Sequence, residues 1–174
     1  MQFRPTRPGD LPDILFILDQ ARQFLRAQRV NQWQGVYPDA RAVLRDIEQG
    51  IGYAAVDAER LFGVLTVSFT PEPSYARLLD GAWLGEGPYA VLHRLAVAPA
   101  GRGNGVGMFL LQHAEQLGKE KRVNSLRVDT HPDNRPMCRL LARGGFAACG
   151  RVLLEPDDLS SERVAYEKRL CLPQ

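Results

Sequence analysis

Four glycines in seven residues, at positions 101, 103, 105 and 107, stand between a β-rich run and a well-patterned helix. No other feature restricts the chain as much. Residues 89–97 read as a strand, and Val106, Leu110, Ala114 and Leu117 then recur along one helix face. Glycine loses more conformational freedom on ordering than any other residue, so four of them are costly as a mere connection. What they permit is a sharp turn and a close backbone approach to a ligand. The first amides of a helix have no intrahelical partner, and the aligned peptide dipoles place roughly half a positive charge at that end. The turn is therefore a nest of donors for a phosphate or pyrophosphate, with Arg102 as an added cation. Two common nucleotide loops are excluded. No Gly-Lys followed by Ser or Thr is present, and no choice of starting glycine completes GxGxxG.

The rest of the chain supplies the setting. Residues 2–4 form a short first strand, and Pro8-Gly9-Asp10 marks a turn with Asp10 as a helix N-cap. Leu11, Ile14, Leu15, Leu18, Ala21 and Leu25 follow at helical spacing, to an end near Arg29. A loop at 31–38 holds Trp33 and Tyr37. Residues 39–49 read as a second helix closed by Gly50. A hairpin is expected at 51–56 and 61–69, and an irregular Gly/Pro-rich segment at 71–88. Strand 123–129, a short helix at 133–143, and strands 146–154 and 163–170 complete the chain. The order β-α-α-β-β-β-α-β-α-β-β predicts an α/β fold of the mixed α+β kind, one mixed sheet with helices on both faces. No internal boundary is visible, so residues 1–174 are expected to be a single domain.

Charge narrows the partners. Lys plus Arg is 22 and Asp plus Glu is 20, without the basic excess or stripe of a nucleic-acid binder. No apolar run approaches the ~18 residues that span a bilayer, and the first ten residues lack the apolar region of a signal peptide. Cys138, Cys149 and Cys171 match no CxxC pattern and read as free thiols in a reducing compartment, which points to the cytoplasm.

Arg102, Gly105 and Gly107 fill the pattern Arg-x-x-Gly-x-Gly after a strand ending Leu95-Ala96-Val97. Asn134, Met137, Leu140, Leu141, Gly145 and Phe146 follow as a second motif, an Asn opening a short helix that ends in Gly-Phe. Together they resemble the GNAT superfamily of acetyl-CoA-dependent N-acyltransferases. The resemblance implies a mostly antiparallel central sheet with one splayed parallel pair, formed by strands 89–97 and 123–129. It implies acetyl-CoA as co-substrate, with no metal. The pantetheine arm would pair with the backbone of Leu95, Ala96 and Val97. The pyrophosphate would lie on the amides of Arg102, Gly103, Asn104, Gly105, Val106 and Gly107. Asn134 would hold the arm or an ordered water, or cap its helix, or both. The acceptor, a small-molecule or peptide amine, would attack the thioester directly without an acyl-enzyme. A homodimer is also compatible with the resemblance.

A base must take the amine proton. His93 lies on the cofactor strand, and alternation places 93, 95 and 97 on one face. Glu86 is a second candidate. Many family members carry a Tyr that protonates the leaving thiolate at the position of Leu141, so that role is missing here. Cys138 lies one turn away and reads as a small packing residue, or as an acid or acyl carrier. Asp129 and His131 could suggest metal ligands, but a strand end entering a helix cap explains them better. Trp33 and Tyr37, with Tyr75 and Trp83, are loop aromatics that could line the acceptor pocket. Trp33 and Tyr37 could equally pin the first helix to the second. A non-catalytic acyl-CoA-binding module and a generic phosphate-binding domain are the alternatives.

Overall fold

Local rules set most element ends. The Asp39 carboxylate accepts the Ala42 amide at 2.9 Å and so opens the second helix. Gly50, with φ of 65°, closes it. Ala58 and Glu59 both take left-handed backbone (φ 44° and 65°), as a two-residue hairpin turn requires. The structure is a computed structural model and describes residues 1–155, 158 and 161–172. Its elements are β1 (Gln2–Pro5), α1 (Leu11–Ala27), α2 (Ala40–Glu48), β2 (Gly52–Asp57), β3 (Arg60–Ser68), β4 (Tyr89–Val97), α3 (Val106–Glu120), β5 (Ser125–Thr130), α4 (Arg135–Arg143), β6 (Ala147–Leu153) and β7 (Glu162–Arg169). The seven strands follow the order β1-β2-β3-β4-β5-β7-β6, mostly antiparallel with one parallel pair, β4 with β5. No helix among the described residues is long and apolar enough to cross a membrane.

Asp10 departs from its expected role. Its backbone is already helical (φ −81°, ψ −10°), as the last residue of a 3-10 turn over Pro8–Asp10, and its side chain makes no cap to α1. The carboxylate instead accepts the Arg7 amide at 2.7 Å and both Arg4 guanidinium nitrogens at 2.7 and 2.9 Å. The Arg4 hydrogen bond holds it below the usual carboxylate range.

Two compact units make up the chain: Met1–Val67 with His93–His113, and Ser68–Leu92 with the residues from Ala114 onward. In the first, Ile14, Ile17 and Leu18 of α1 and Val43 of α2 pack on Ala54 and Val56 of β2, Val64 of β3 and Ala96 of β4. Helical periodicity in α1 and α2 meets a strand face, which is why these helices settle here. The opposite face, one residue out of phase, receives the start of α3. A Cβ on Gly63 would stand 2.9 Å from Val106 Cγ1 and 3.1 Å from Leu110 Cδ1, so only glycine lets α3 close on β3.

In the second unit, β5 pairs with β7 from Ser125 to Thr130, but the parallel pairing with β4 covers only Tyr89–Val91. One face carries Lys168, whose ammonium meets Glu115 of α3 at 2.6 Å. The other face is polar at its centre. Glu167, fully buried, accepts from Ser125 Oγ at 2.5 Å, from Arg127 Nε at 2.9 Å and from the Leu84 amide. The Arg127 guanidinium lies 4.2 Å from the Trp83 ring centre and 4.0 Å from that of Tyr89. Tyr75, 1% exposed, donates its hydroxyl to Asp129 at 2.7 Å, and Trp83 Nε1 donates to the Tyr75 carbonyl at 3.0 Å. Tyr75 and Trp83 therefore anchor the irregular segment. A buried ion pair broken on one side leaves an uncompensated charge. Glu167→Ala should accordingly lower the unfolding free energy by about 3–5 kcal/mol in urea titration. A loss below about 1 kcal/mol would mean that Arg127 finds its compensation elsewhere.

Candidate functional site

The glycines of the turn divide into two kinds. Gly101 is a packing residue: a Cβ there would stand 2.9 Å from the Phe62 carbonyl oxygen and 3.0 Å from Val106 Cγ2. Gly103 and Gly105 both adopt φ of 77°, and a Cβ on either would meet nothing within 4 Å. They are present for left-handed backbone, and the space before them is open. The helix ladder begins with the Phe109 amide on the Gly105 carbonyl, at 2.9 Å. Among the described residues, the amides of Gly103, Gly105, Val106, Gly107 and Met108 have no backbone carbonyl partner. Asn104 braces the turn by donating from Nδ2 to the Ala100 carbonyl at 3.0 Å. Arg102 lies back along α1. Its guanidinium is 4.4 Å from the Phe24 ring centre, and Nη2 is 3.4 Å from the Gln20 carbonyl.

Upstream, β4 carries His93, Leu95, Ala96 and Val97, but not as a regular strand. Arg94 has φ of 51°, a left-handed backbone that a non-glycine residue adopts only when its surroundings hold it there. Alternation is resumed beyond it. Arg94 reaches Asp46 of α2, and Ala96 and Ala98 join the α1/α2 core. The shared face expected for 93, 95 and 97 is interrupted at Arg94, because a left-handed residue breaks the two-residue repeat. Burial, and after it the Arg94 charge, push the His93 imidazole down to about 4. At neutral pH the ring is neutral and able to accept a proton.

Arg94 is the residue that sequence reasoning missed. Its Nε and Nη2 meet the two Asp46 oxygens at 2.7 Å each, and Nε also lies 3.2 Å from Thr66 Oγ1. Thr66 donates to the same Asp46 oxygen that Nε meets, at 2.7 Å. Nη1 donates to the Tyr37 hydroxyl. The available signals were an Arg inside an apolar strand and an Asp three residues after Val43 on the buried face of α2.

The loop that carries Trp33 and Tyr37 is held by α1 at Trp33 and Pro38. Arg22 donates to the Trp33 carbonyl at 3.0 Å and to the Pro38 carbonyl at 2.9 Å. Trp33 packs half-buried on the α1/α2 core, whereas Tyr37 is 48% exposed. Trp33 thus packs against the two helices, whereas Tyr37 meets Arg94 through its hydroxyl and keeps a large accessible face.

In the second unit Asn134 caps α4, its Oδ1 accepting the Met137 amide at 3.3 Å. Leu141 is fully buried. On the same helix face, Cys138 meets the Tyr166 hydroxyl, which burial and this hydrogen bond push up to about 12. Glu86 is exposed, with its carbonyl bound by Asn124 Nδ2 at 3.0 Å. Asp129 is engaged by Tyr75, and His131 Nδ1 accepts the Asp133 amide at 3.1 Å. Among the described residues no group of three or more His, Cys, Asp or Glu is arranged to hold a metal ion.

The sheet order agrees with the fold of known proteins. The chain belongs to the acetyltransferase (GNAT) family, whose model matches residues 18–146. It is an acetyltransferase of mixed α/β fold. A GNAT-family acetyltransferase from Streptococcus agalactiae is 27% identical, with a TM-score of 0.84 over 97% of this chain and 94% of that one. The PaiA N-acetyltransferase of Thermoplasma acidophilum, solved in complex with coenzyme A, is 17% identical and shares the fold, with a TM-score of 0.73 over 97% and 98%. Streptothricin acetyltransferase of Streptomyces lavendulae is 36% identical over 56 residues, 32% of this chain. That match spans 30% of the curated relative's length.

Proposed function

We propose that the chain, acting as one domain over residues 1–174, transfers the acetyl group of acetyl-CoA to a primary amine by direct attack. The observation that carries this is the set of amides without a backbone partner at Gly103, Gly105, Val106, Gly107 and Met108, two of them on left-handed glycines, a cradle for a pyrophosphate at a helix N-terminus. Arg102 and Asn104 complete that loop. The backbone of Leu95, Ala96 and Val97 pairs with the pantetheine arm, and Asn134 steadies the arm or a water while capping α4.

The amine nitrogen attacks the thioester carbonyl carbon, the C–S bond breaks, and coenzyme A leaves as a thiolate. His93 takes the amine proton, as a neutral imidazole can at pH 7. The thiolate departs without a donor at position 141, where a buried Leu stands. Tyr37, exposed beside β4, contacts the acceptor, and Trp33 shapes the loop behind it. The free thiols Cys138, Cys149 and Cys171 suit a reducing cytoplasm.

Titration calorimetry with acetyl-CoA, ATP and NAD tests the site, and thiol release across a panel of small-molecule and peptide amines tests turnover. Streptothricin belongs in that panel because of the relative that acetylates it. Selective binding of acetyl-CoA with amine-dependent thiol release is the expected result. Preference for ATP or NAD would overturn the reading. Tight acetyl-CoA binding without release on any amine would favour an acyl-CoA-binding module, a reading that Leu141 and the weakly basic His93 keep open.

A further inference from the structure

Arg94 pays a backbone penalty in a strand that otherwise has none, and its side chain explains how the strand keeps that shape. A left-handed non-glycine residue persists where its surroundings over-determine it. Here two planar forks face each other: Nε and Nη2 of Arg94 on the two oxygens of Asp46, each at 2.7 Å. Thr66 Oγ1 closes the group from β3. A bidentate charge-assisted pair fixes orientation as well as distance, which a lysine ammonium cannot do. The third branch, Nη1, holds the Tyr37 hydroxyl, and the guanidinium carbon lies 5.7 Å from that ring's centre. One side chain thereby ties α2, β3 and the 31–38 loop to the residue that follows His93.

We propose that Arg94 is a positioning residue for acetyl transfer: by clamping Asp46, Thr66 and Tyr37 it holds β4 in its left-handed turn and sets His93 and the 31–38 loop relative to each other. This rests on the reading that His93 accepts the amine proton. The turn lies directly after His93, so its geometry decides where the imidazole points. None of Arg94's partners belongs to residues 101–107, so the pyrophosphate cradle is separate from this device.

The test uses Arg94→Lys and Asp46→Asn, each alone and combined with His93→Gln. Arg94→Lys is expected to lower kcat about 100-fold, the cost of misplacing a reacting group by about 1 Å. The calorimetric affinity for acetyl-CoA should fall far less than kcat, because the pyrophosphate cradle is untouched, and Asp46→Asn should behave alike. In the His93→Gln background neither substitution should cost anything further, because residues acting through one another are not additive. A purely structural role would instead add its loss in both backgrounds. If these variants fail to fold by circular dichroism, Tyr37→Phe is the substitute. It removes one exposed hydroxyl and should raise KM for the amine several-fold. Parental kcat in folded Arg94→Lys and Asp46→Asn, or parental KM in Tyr37→Phe, overturns the positioning role while kcat of His93→Gln remains low. Full activity in His93→Gln overturns the base reading and Arg94's role with it.

Discussion

Gly105→Glu is expected to abolish acetyl-CoA binding, raising Kd by at least about 100-fold, or roughly 2.7 kcal/mol. Two effects contribute, and they can be separated. Gly105 adopts φ of 77°, so any side chain there is strained, at a cost of about 1–2 kcal/mol for an L-residue in left-handed backbone. No neighbour lies within 4 Å of its Cβ position, so no packing clash adds to that. The second effect is electrostatic. A glutamate in the nest would take the unpaired amides of Gly103, Gly105, Val106, Gly107 and Met108 for its own carboxylate and repel a pyrophosphate. Gly105→Ala carries the strain without the anion. Calorimetry on both variants, with the fold checked by circular dichroism, should show a modest loss for Ala and no binding for Glu. Equal losses would assign the effect to strain. Unchanged affinity in a folded Gly105→Glu protein would remove residues 101–107 from the cofactor site.

The glycine turn was legible because everything that makes it is local. Left-handed backbone requires glycine, the strand before it and the helix after it follow from periodicity, and the orphan amides follow from helix geometry. The hairpin at Ala58-Glu59 and the cap at Asp39 are local in the same sense. The polar interior was not legible. Arg94 finds Asp46 across 48 residues, Tyr75 finds Asp129 across 54, and Arg127 finds Glu167 across 40. Nothing within a window of sequence selects such partners, since the strand order that brings them together is a property of the whole sheet. For the same reason Tyr75 and Trp83 read as loop aromatics that could line a pocket, whereas Tyr75 is buried and Trp83 packs partly buried against it. Asp10 misled for a different cause. Its backbone was already helical in a preceding turn, so the capping position held the right residue in the wrong conformation. The left-handed Arg94 carried no local sign either, because arginine has no preference for that backbone and only its distant partners hold it there.

His93→Gln is expected to lower kcat at neutral pH by about 100- to 10,000-fold, the usual contribution of a general base, while acetyl-CoA affinity stays at the parental value. Glutamine keeps a polar side chain of similar reach and cannot take up a proton. A second consequence concerns stability. Burial, with the Arg94 charge added, depresses the folded-state imidazole to about 4, against 6.5 in the unfolded chain. Between these values the unfolded state binds the proton and the folded state does not, so stability rises with pH across that window and falls as pH drops from 6.5 towards 4. The full difference amounts to about 3 kcal/mol, present above pH 6.5 and lost below 4. Urea unfolding of the parent and of His93→Gln at several pH values reads this directly, because the glutamine variant lacks the contribution. The parent-minus-variant difference should shrink by that amount between pH 6.5 and 4. A constant difference would mean that His93 is not held neutral by burial. The kinetic counterpart follows from the same depression: the acidic limb of kcat/KM assigned to this base should lie well below pH 6.5. A limb at 6.5 that survives in His93→Gln would assign the proton to another group, and the low basicity of His93 would then be a consequence of burial alone.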